Sequence, residues 1–154
     1  MTTIVGDWRR KILVADSQFT DTDTNTKYFE DKVYEVPNGW FGCAGHHSDS
    51  EKVLAYLRTK GKTKPKLKNT DNSFILLTPE GLFTCDDGDD WESVRTFMAI
   101  GSGAHAAEAI LRSGGTAEEA VYWACNVDLM SHEPIKVYSL NSKEPTIWTF
   151  NEKQ

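Results

Sequence analysis

Apolar positions in this chain gather in short β-rich runs separated by turn-forming residues. Thr3-Ile4-Val5 and Ile12-Leu13-Val14-Ala15 flank the polar stretch Gly6-Asp7-Trp8-Arg9-Arg10, which predicts an antiparallel hairpin. Residues 20–26 alternate small polar side chains and read as an exposed loop or an edge ribbon. Lys32-Val33-Tyr34-Glu35-Val36 alternates again. Pro37-Asn38-Gly39 is a turn, and Trp40-Phe41-Gly42-Cys43-Ala44-Gly45 predicts a strand with close-packing glycines. Ser48 and Asp49 suit a helix N-cap, and Val53, Leu54 and Leu57 share one face of the helix that follows. Phe74-Ile75-Leu76-Leu77 and Leu82-Phe83-Thr84-Cys85 flank Thr78-Pro79-Glu80-Gly81, a second hairpin. Ala99-Ile100-Gly101-Ser102-Gly103 leads into a small-residue helix over 104–112, stopped by Gly114-Gly115. Thr116-Ala117-Glu118-Glu119 is a capping box opening a helix to about Met130. Ile135-Lys136-Val137-Tyr138 and Thr146-Ile147-Trp148-Thr149-Phe150 close the pattern as strands. Helices in blocks among antiparallel hairpins predict an α+β fold rather than repeated βαβ units.

Composition narrows the class. At 154 residues the chain has the size of one domain, 1–154, able to hold a core without staples. Seventeen basic against 23 acidic residues give a net charge of −6, which argues against general nucleic-acid binding. No apolar run reaches the roughly 20 residues of a membrane span, and no secretory leader pattern opens the sequence. Cys43, Cys85 and Cys125 are odd in number and far apart, which favours free thiols in a reducing cytoplasm. Asp86-Asp87-Gly88-Asp89-Asp90 lacks the alternating ligands and closing glutamate of a calcium loop and reads as a solvated turn. Every second residue over 58–68 is basic, with Gly61 and Pro65 forbidding a long helix. A solvated connecting loop explains that run, with docking of an acidic partner as the alternative.

The informative position for chemistry is Thr2. Removal of Met1 would give it a free α-amine, which titrates at about 7.7–8 and can serve as general base for the hydroxyl on the same residue. Alone, Met-Thr is uninformative. Read with Thr2-Thr3-Ile4-Val5, Ile12-Leu13-Val14-Ala15-Asp16-Ser17, Asp31-Lys32-Val33, Gly42-Cys43-Ala44-Gly45-His46-His47-Ser48-Asp49 and Ala99-Ile100-Gly101-Ser102-Gly103, it acquires meaning. Those motifs, in that order, resemble the proteasome β-subunit/HslV family of N-terminal-nucleophile hydrolases, most of all its bacterial HslV branch. The likeness runs from Thr2 to about Ser131 and is weaker over 116–131, where Asp128-Leu129-Met130-Ser131 keeps an Asp-x-x-Ser spacing.

The resemblance implies a four-layer αββα sandwich with one helical layer reduced, and hydrolysis of peptide bonds without a cofactor or metal. By position, Thr2 matches the nucleophile, Asp16 the strand-end aspartate and Lys32 the active-site lysine. An ammonium beside the Thr2 amine would favour the neutral amine, and a buried lysine needs the counter-charge Asp16 would supply. An exposed surface pair of no functional weight is the alternative for those two. Gly45 matches the glycine whose N–H faces the oxyanion. Ser102 and Asp128 match groups hydrogen-bonded around the amine, with Ser131 a further one. Cys43 and His47 fall where side chains line the substrate pocket. Adjacent histidines on a strand would point apart, so His46 and His47 cannot easily share a metal.

The same resemblance implies a peptide or unfolded-protein substrate, a homo-oligomeric ring, an ATPase unfoldase as partner and a cytoplasmic setting. The chain departs from the family between Ser48 and Phe74, where one helix and the basic loop stand in place of two long helices. That departure bears on ring size and ATPase docking. Two alternatives remain at this point: an amidohydrolase acting on a small-molecule amide, and a non-catalytic ring-forming scaffold that kept the fold.

Overall fold

The computed structural model describes residues 2–21, 23–61, 64–86 and 90–151. Two five-stranded antiparallel sheets lie face to face. The first runs in the order β10 (Phe97–Gly101), β1 (Thr3–Asp7), β2 (Ile12–Ala15), β11 (Ile135–Ser139), β12 (Thr146–Trp148). The second runs β5 (Val33–Val36), β6 (Gly39–Ala44), β7 (Ser73–Thr78), β8 (Gly81–Asp86), β9 (Glu92–Val94). A separate ribbon pairs β3 (Gln18–Asp21) with β4 (Thr26–Phe29). Helices α2 (Ala104–Arg112) and α3 (Ala117–Val127) cover the first sheet, and α1 (His47–Thr59) covers the second.

Three apolar layers follow from strand alternation. Ile4, Leu13, Trp40, Ile75 and Leu82 fill the space between the sheets. Val5, Val14 and Ile135 face Ala107, Ala120, Val121 and Ala124 of the helix pair, whose small side chains let the helices lie close to the strands. Phe41 and Phe74 stack beneath Val53 of α1. The result is an αββα sandwich in which one outer layer holds a single helix among the described residues.

The hairpins form where the paired apolar runs and their turn residues predict them, with Val5 opposite Val14 and Leu77 opposite Leu82. Helix α2 spans the predicted residues, and the Thr116–Glu119 capping box of α3 is fully made. Residues 20–26 contribute to a ribbon, with Asp21 opposite Thr26, and Thr22 lies outside the described residues. Several details differ from the expectation. Helix α3 stops at Val127, where Asp128 leaves the helix to use its carboxylate elsewhere. Strand β9 had no period-two signal, and it pairs with β8 through Glu92, Ser93 and Val94. Neither Ser48 nor Asp49 caps α1. His46 occupies the N-cap without a side-chain bond, and Asp49 turns inward. Within the basic stretch, Arg58 Nε donates to the Glu35 carbonyl and Lys64 pairs with Asp90 at 2.6 Å, while Lys62 lies outside the described residues. The acidic run is described only at its ends, Asp86 and Asp90.

Candidate active site

The first strand sets the geometry. Ile4 and Gly6 of β1 face the second sheet, whereas Thr3 and Val5 face α3. Extended one residue back, this alternation puts Thr2 on the inter-sheet side. Thr2 is buried, and its carbonyl accepts from the Ser102 hydroxyl and the Gly103 N–H, both at 3.5 Å. Gly101, at φ +97°, has no room for a Cβ because the Thr2 carbonyl occupies that place. The same absent Cβ would sit 3.4 Å from the Ala44 side chain, so the end of β6 abuts the start of β1.

Asp16 is the hub on one side of Thr2. Its Oδ1 accepts the Thr3 N–H at 2.9 Å and Lys32 Nζ at 2.9 Å. Its Oδ2 accepts Lys32 Nζ at 3.0 Å and the N–H groups of Gln18 and His132 at 3.2 and 3.0 Å. The Lys32 and Asp16 side chains are 2% and 0% exposed, so this is no surface pair. Burial pulls Lys32 below its ordinary value, and the Asp16 charge and hydrogen bond oppose that pull. A buried ammonium and the peptide following Thr2 thus share one carboxylate oxygen.

Asp128 is the hub on the other side. Oδ2 accepts from Ser102 Oγ at 2.5 Å and Ser131 Oγ at 2.6 Å, and Oδ1 accepts the Met130 N–H at 3.1 Å. Burial pushes the Asp128 carboxyl up, but these donors outweigh it and hold the group below the usual carboxylate range. Ser131 Oγ also lies 2.7 Å from Thr3 Oγ1. Thr3 therefore does more than extend the strand. Its amide binds Asp16 and its hydroxyl joins the Asp128 cluster.

Gly45 follows β6 at φ +141°, a conformation that disfavours any L side chain, and a Cβ there would collide with Asn72 Oδ1. His46 and His47 do not lie on a strand. The first caps α1 and sits 2.8 Å from Asp71, while the second opens the helix, sits 3.0 Å from Glu51 and packs its ring edge-on against Phe19 of the ribbon. Cys43 is half-buried in β6. Burial pushes its thiol up to about 12, as it does for Cys125, so neither is a thiolate nucleophile near neutrality. Among the described residues no group of three or more His, Cys, Asp or Glu could hold a metal ion, and no helix is long and apolar enough to cross a membrane.

The structure thus brings together Thr2, Asp16, Lys32, Ser102 and Asp128, with Ser131 and Thr3 bridging them. Gly45, Cys43 and His47 lie on and just after the neighbouring strand β6. Sequence reasoning gave Asp49 only a capping role, and it missed the contacts of Thr3 and of Asn72, the last because nothing local marks it.

The layer order and strand topology match solved structures over nearly the whole chain. The eukaryotic HslV of Trypanosoma brucei aligns with a TM-score of 0.68 at 23% identity, covering 88% of this chain and 97% of that one. This chain has the HslV fold. The BPH protein of Thiobacillus denitrificans shares it too, at TM-score 0.63, 16% identity and coverage of 93% and 99%. In complex with epoxomicin, BPH aligns at TM-score 0.65, 14% identity and coverage of 88% and 96%. No family model and no curated protein matches the chain. Within the HslV fold, the Asp16–Lys32 pair and the Ser102–Asp128–Ser131 cluster converge on the amino-terminal end of β1.

Proposed function

We propose that the protein is a threonine-type endopeptidase of the HslV and proteasome kind, with Thr2 as nucleophile once Met1 is removed. The observation that carries this reading is the buried Asp16–Lys32 pair bonded at the Thr3 amide, immediately beside Thr2. Burying a charge pair is costly, and a position next to an N-terminal hydroxyl gives the pair a chemical use.

In the proposed reaction Thr2 Oγ attacks the scissile carbonyl while its proton passes to the Thr2 α-amine. Lys32 Nζ holds positive charge nearby, which keeps that amine neutral and stabilises the developing alkoxide. The Gly45 N–H donates to the oxyanion. The protonated amine then gives its proton to the leaving peptide nitrogen as the C–N bond breaks. Water, deprotonated by the amine, attacks the resulting ester, and Thr2 Oγ departs and recovers a proton. Ser102 and Asp128 orient the amine throughout.

The neighbour BPH was solved with epoxomicin, so the same compound is the direct probe here. Incubation should add one epoxomicin mass to the intact chain, mapped by peptide sequencing to Thr2. An adduct on any other residue, or none on a chain lacking Met1, overturns the assignment.

The substrate we propose is a peptide or unfolded segment, reached inside a homo-oligomeric ring in the cytoplasm, a setting that the three free thiols suit. An ATPase unfoldase is the proposed feeder of that ring. Light scattering at micromolar concentration should give a mass several times that of one chain. A monomer there removes the ring.

A further inference from the structure

We infer that Asn72, held by the buried carboxylate of Asp49, is a positioning residue that fixes the Gly45 N–H in its oxyanion-binding orientation. The inference rests on the proposed function, because it takes Gly45 as the oxyanion donor.

The problem it answers is one of backbone freedom. Gly45 sits at φ +141°, and without a Cβ its torsions are soft, so the direction of its N–H is not set by local sterics. An oxyanion donor acts through being held in place before charge develops, and a displacement of about 1 Å can cost about a hundredfold in rate. Something outside the residue must therefore hold it. On the near side, Ala44 is paired with Ser73 at the end of the β6–β7 ladder. On the far side, the His46 N–H donates to Asn72 Oδ1 at 2.8 Å. Residues 72 and 73 thus grip the chain on both flanks of Gly45, and the Asn72 amide fills the space a Cβ at Gly45 would need.

Asn72 is itself fixed. It is 2% exposed, and its Nδ2 donates to Asp49 Oδ2 at 3.1 Å and to the Asn69 carbonyl at 3.2 Å. That donation orients the amide so that Oδ1 faces His46. Asp49 is fully buried in the first turn of α1, where it also accepts the Lys68 and Asn69 N–H groups, each at 3.0 Å, and Asn69 Nδ2 at 2.9 Å. The Lys68 amide leads the bonds that hold the Asp49 carboxyl well below the usual carboxylate range, so it stays an acceptor wherever the enzyme works. The loop after α1 is thereby tied to the oxyanion glycine.

The test compares two amide deletions at the same carboxylate. Asn72→Ala removes the bond to His46, whereas Asn69→Ala removes a bond to Asp49 and leaves His46 untouched. With peptide substrate, Asn72→Ala should lower kcat by about tenfold to a hundredfold with KM changed less than about threefold. Asn69→Ala should keep kcat within about twofold. Amide exchange at Gly45 and His46, read by NMR, should accelerate in Asn72→Ala alone. If Asn72→Ala does not fold, Asn72→Ser is judged by the same criteria, since its hydroxyl is too short to span Asp49 and His46. Equal losses in the Asn69 and Asn72 variants would reduce the role to loop stability and overturn the inference. Unchanged kcat in Asn72→Ala, while Thr2→Ala is dead, overturns this inference alone. Turnover that survives Thr2→Ala overturns the proposed function, and the positioning role falls with it.

Discussion

Thr2→Ala is expected to reduce peptide hydrolysis to background, a loss of at least about 10⁴-fold, with no acyl-enzyme trapped on the chain. Only residue 2, once Met1 is gone, joins a hydroxyl to an amine that titrates near neutrality. Thr2→Ser should keep partial activity, because hydroxyl and amine survive and only the methyl that restricts the rotamer is lost. Thr3→Ala is the informative neighbour. Its hydroxyl bonds Ser131 rather than lying idle, so a modest rate loss should accompany its cost in stability. The amine must be neutral to accept the Thr2 proton, so the rate should rise with pH through the amine's titration. Lys32 pulls that limb below the free value. Steady-state rates and intact masses of the processed chain check each point. Undiminished hydrolysis by Thr2→Ala, or full activity from a chain still bearing Met1, ends the assignment.

Lys32→Ala should lower turnover by at least about a hundredfold and leave the fold standing. Asp16 then loses its ammonium but keeps the N–H groups of Thr3, Gln18 and His132, which hold the carboxylate in place. Lys32→Arg should not restore the rate. A planar fork that never loses its proton cannot occupy a space shaped for a compact ammonium between buried partners. The wild-type profile should also fall on its alkaline side as Lys32 loses its charge, below the ordinary lysine value of 10.5 because burial lowers it. Circular dichroism separates folding from chemistry here. A folded Lys32→Ala variant at the wild-type rate would remove Lys32 from the mechanism.

The two sheets were legible because their central strands are buried on both faces and read as short continuous apolar runs between turn residues, as at Ile12–Ala15 and within Ser73–Thr78. Helix α2 was legible from its small-residue run and closing glycines, and α3 from its capping box. Strand β9 was not, because Glu92 and Ser93 are exposed and the pairing comes from β8. The positions of Thr2, Asp16, Lys32, Gly45, Ser102 and Asp128 came from family resemblance, and no local pattern marks them. Asp49 was misplaced for a physical reason. An aspartate in a first helical turn can cap its own helix or reach outward for distant amides, and the choice depends on a loop about 20 residues further on. Asn72 gives no signal until the register sets Ser73 against Ala44.

On the proposed function, the hydrogen bonds of Asp16 and Asp128 decide when during synthesis the site is assembled. Asp16 ties residue 3 to residues 18, 32 and 132, and Asp128 ties residue 102 to residue 131 and through it to Thr3. Such contacts form late, because distant segments must meet before any bond repays the lost chain entropy. A chain emerging from the ribosome therefore carries Thr2 from the start but lacks its charge environment until the segment from 128 to 132 has been made and docked. On the proposed function, hydrolytic competence then waits on completion of folding as well as on removal of Met1, so topology and the initiator residue together guard a nascent chain from its own nucleophile.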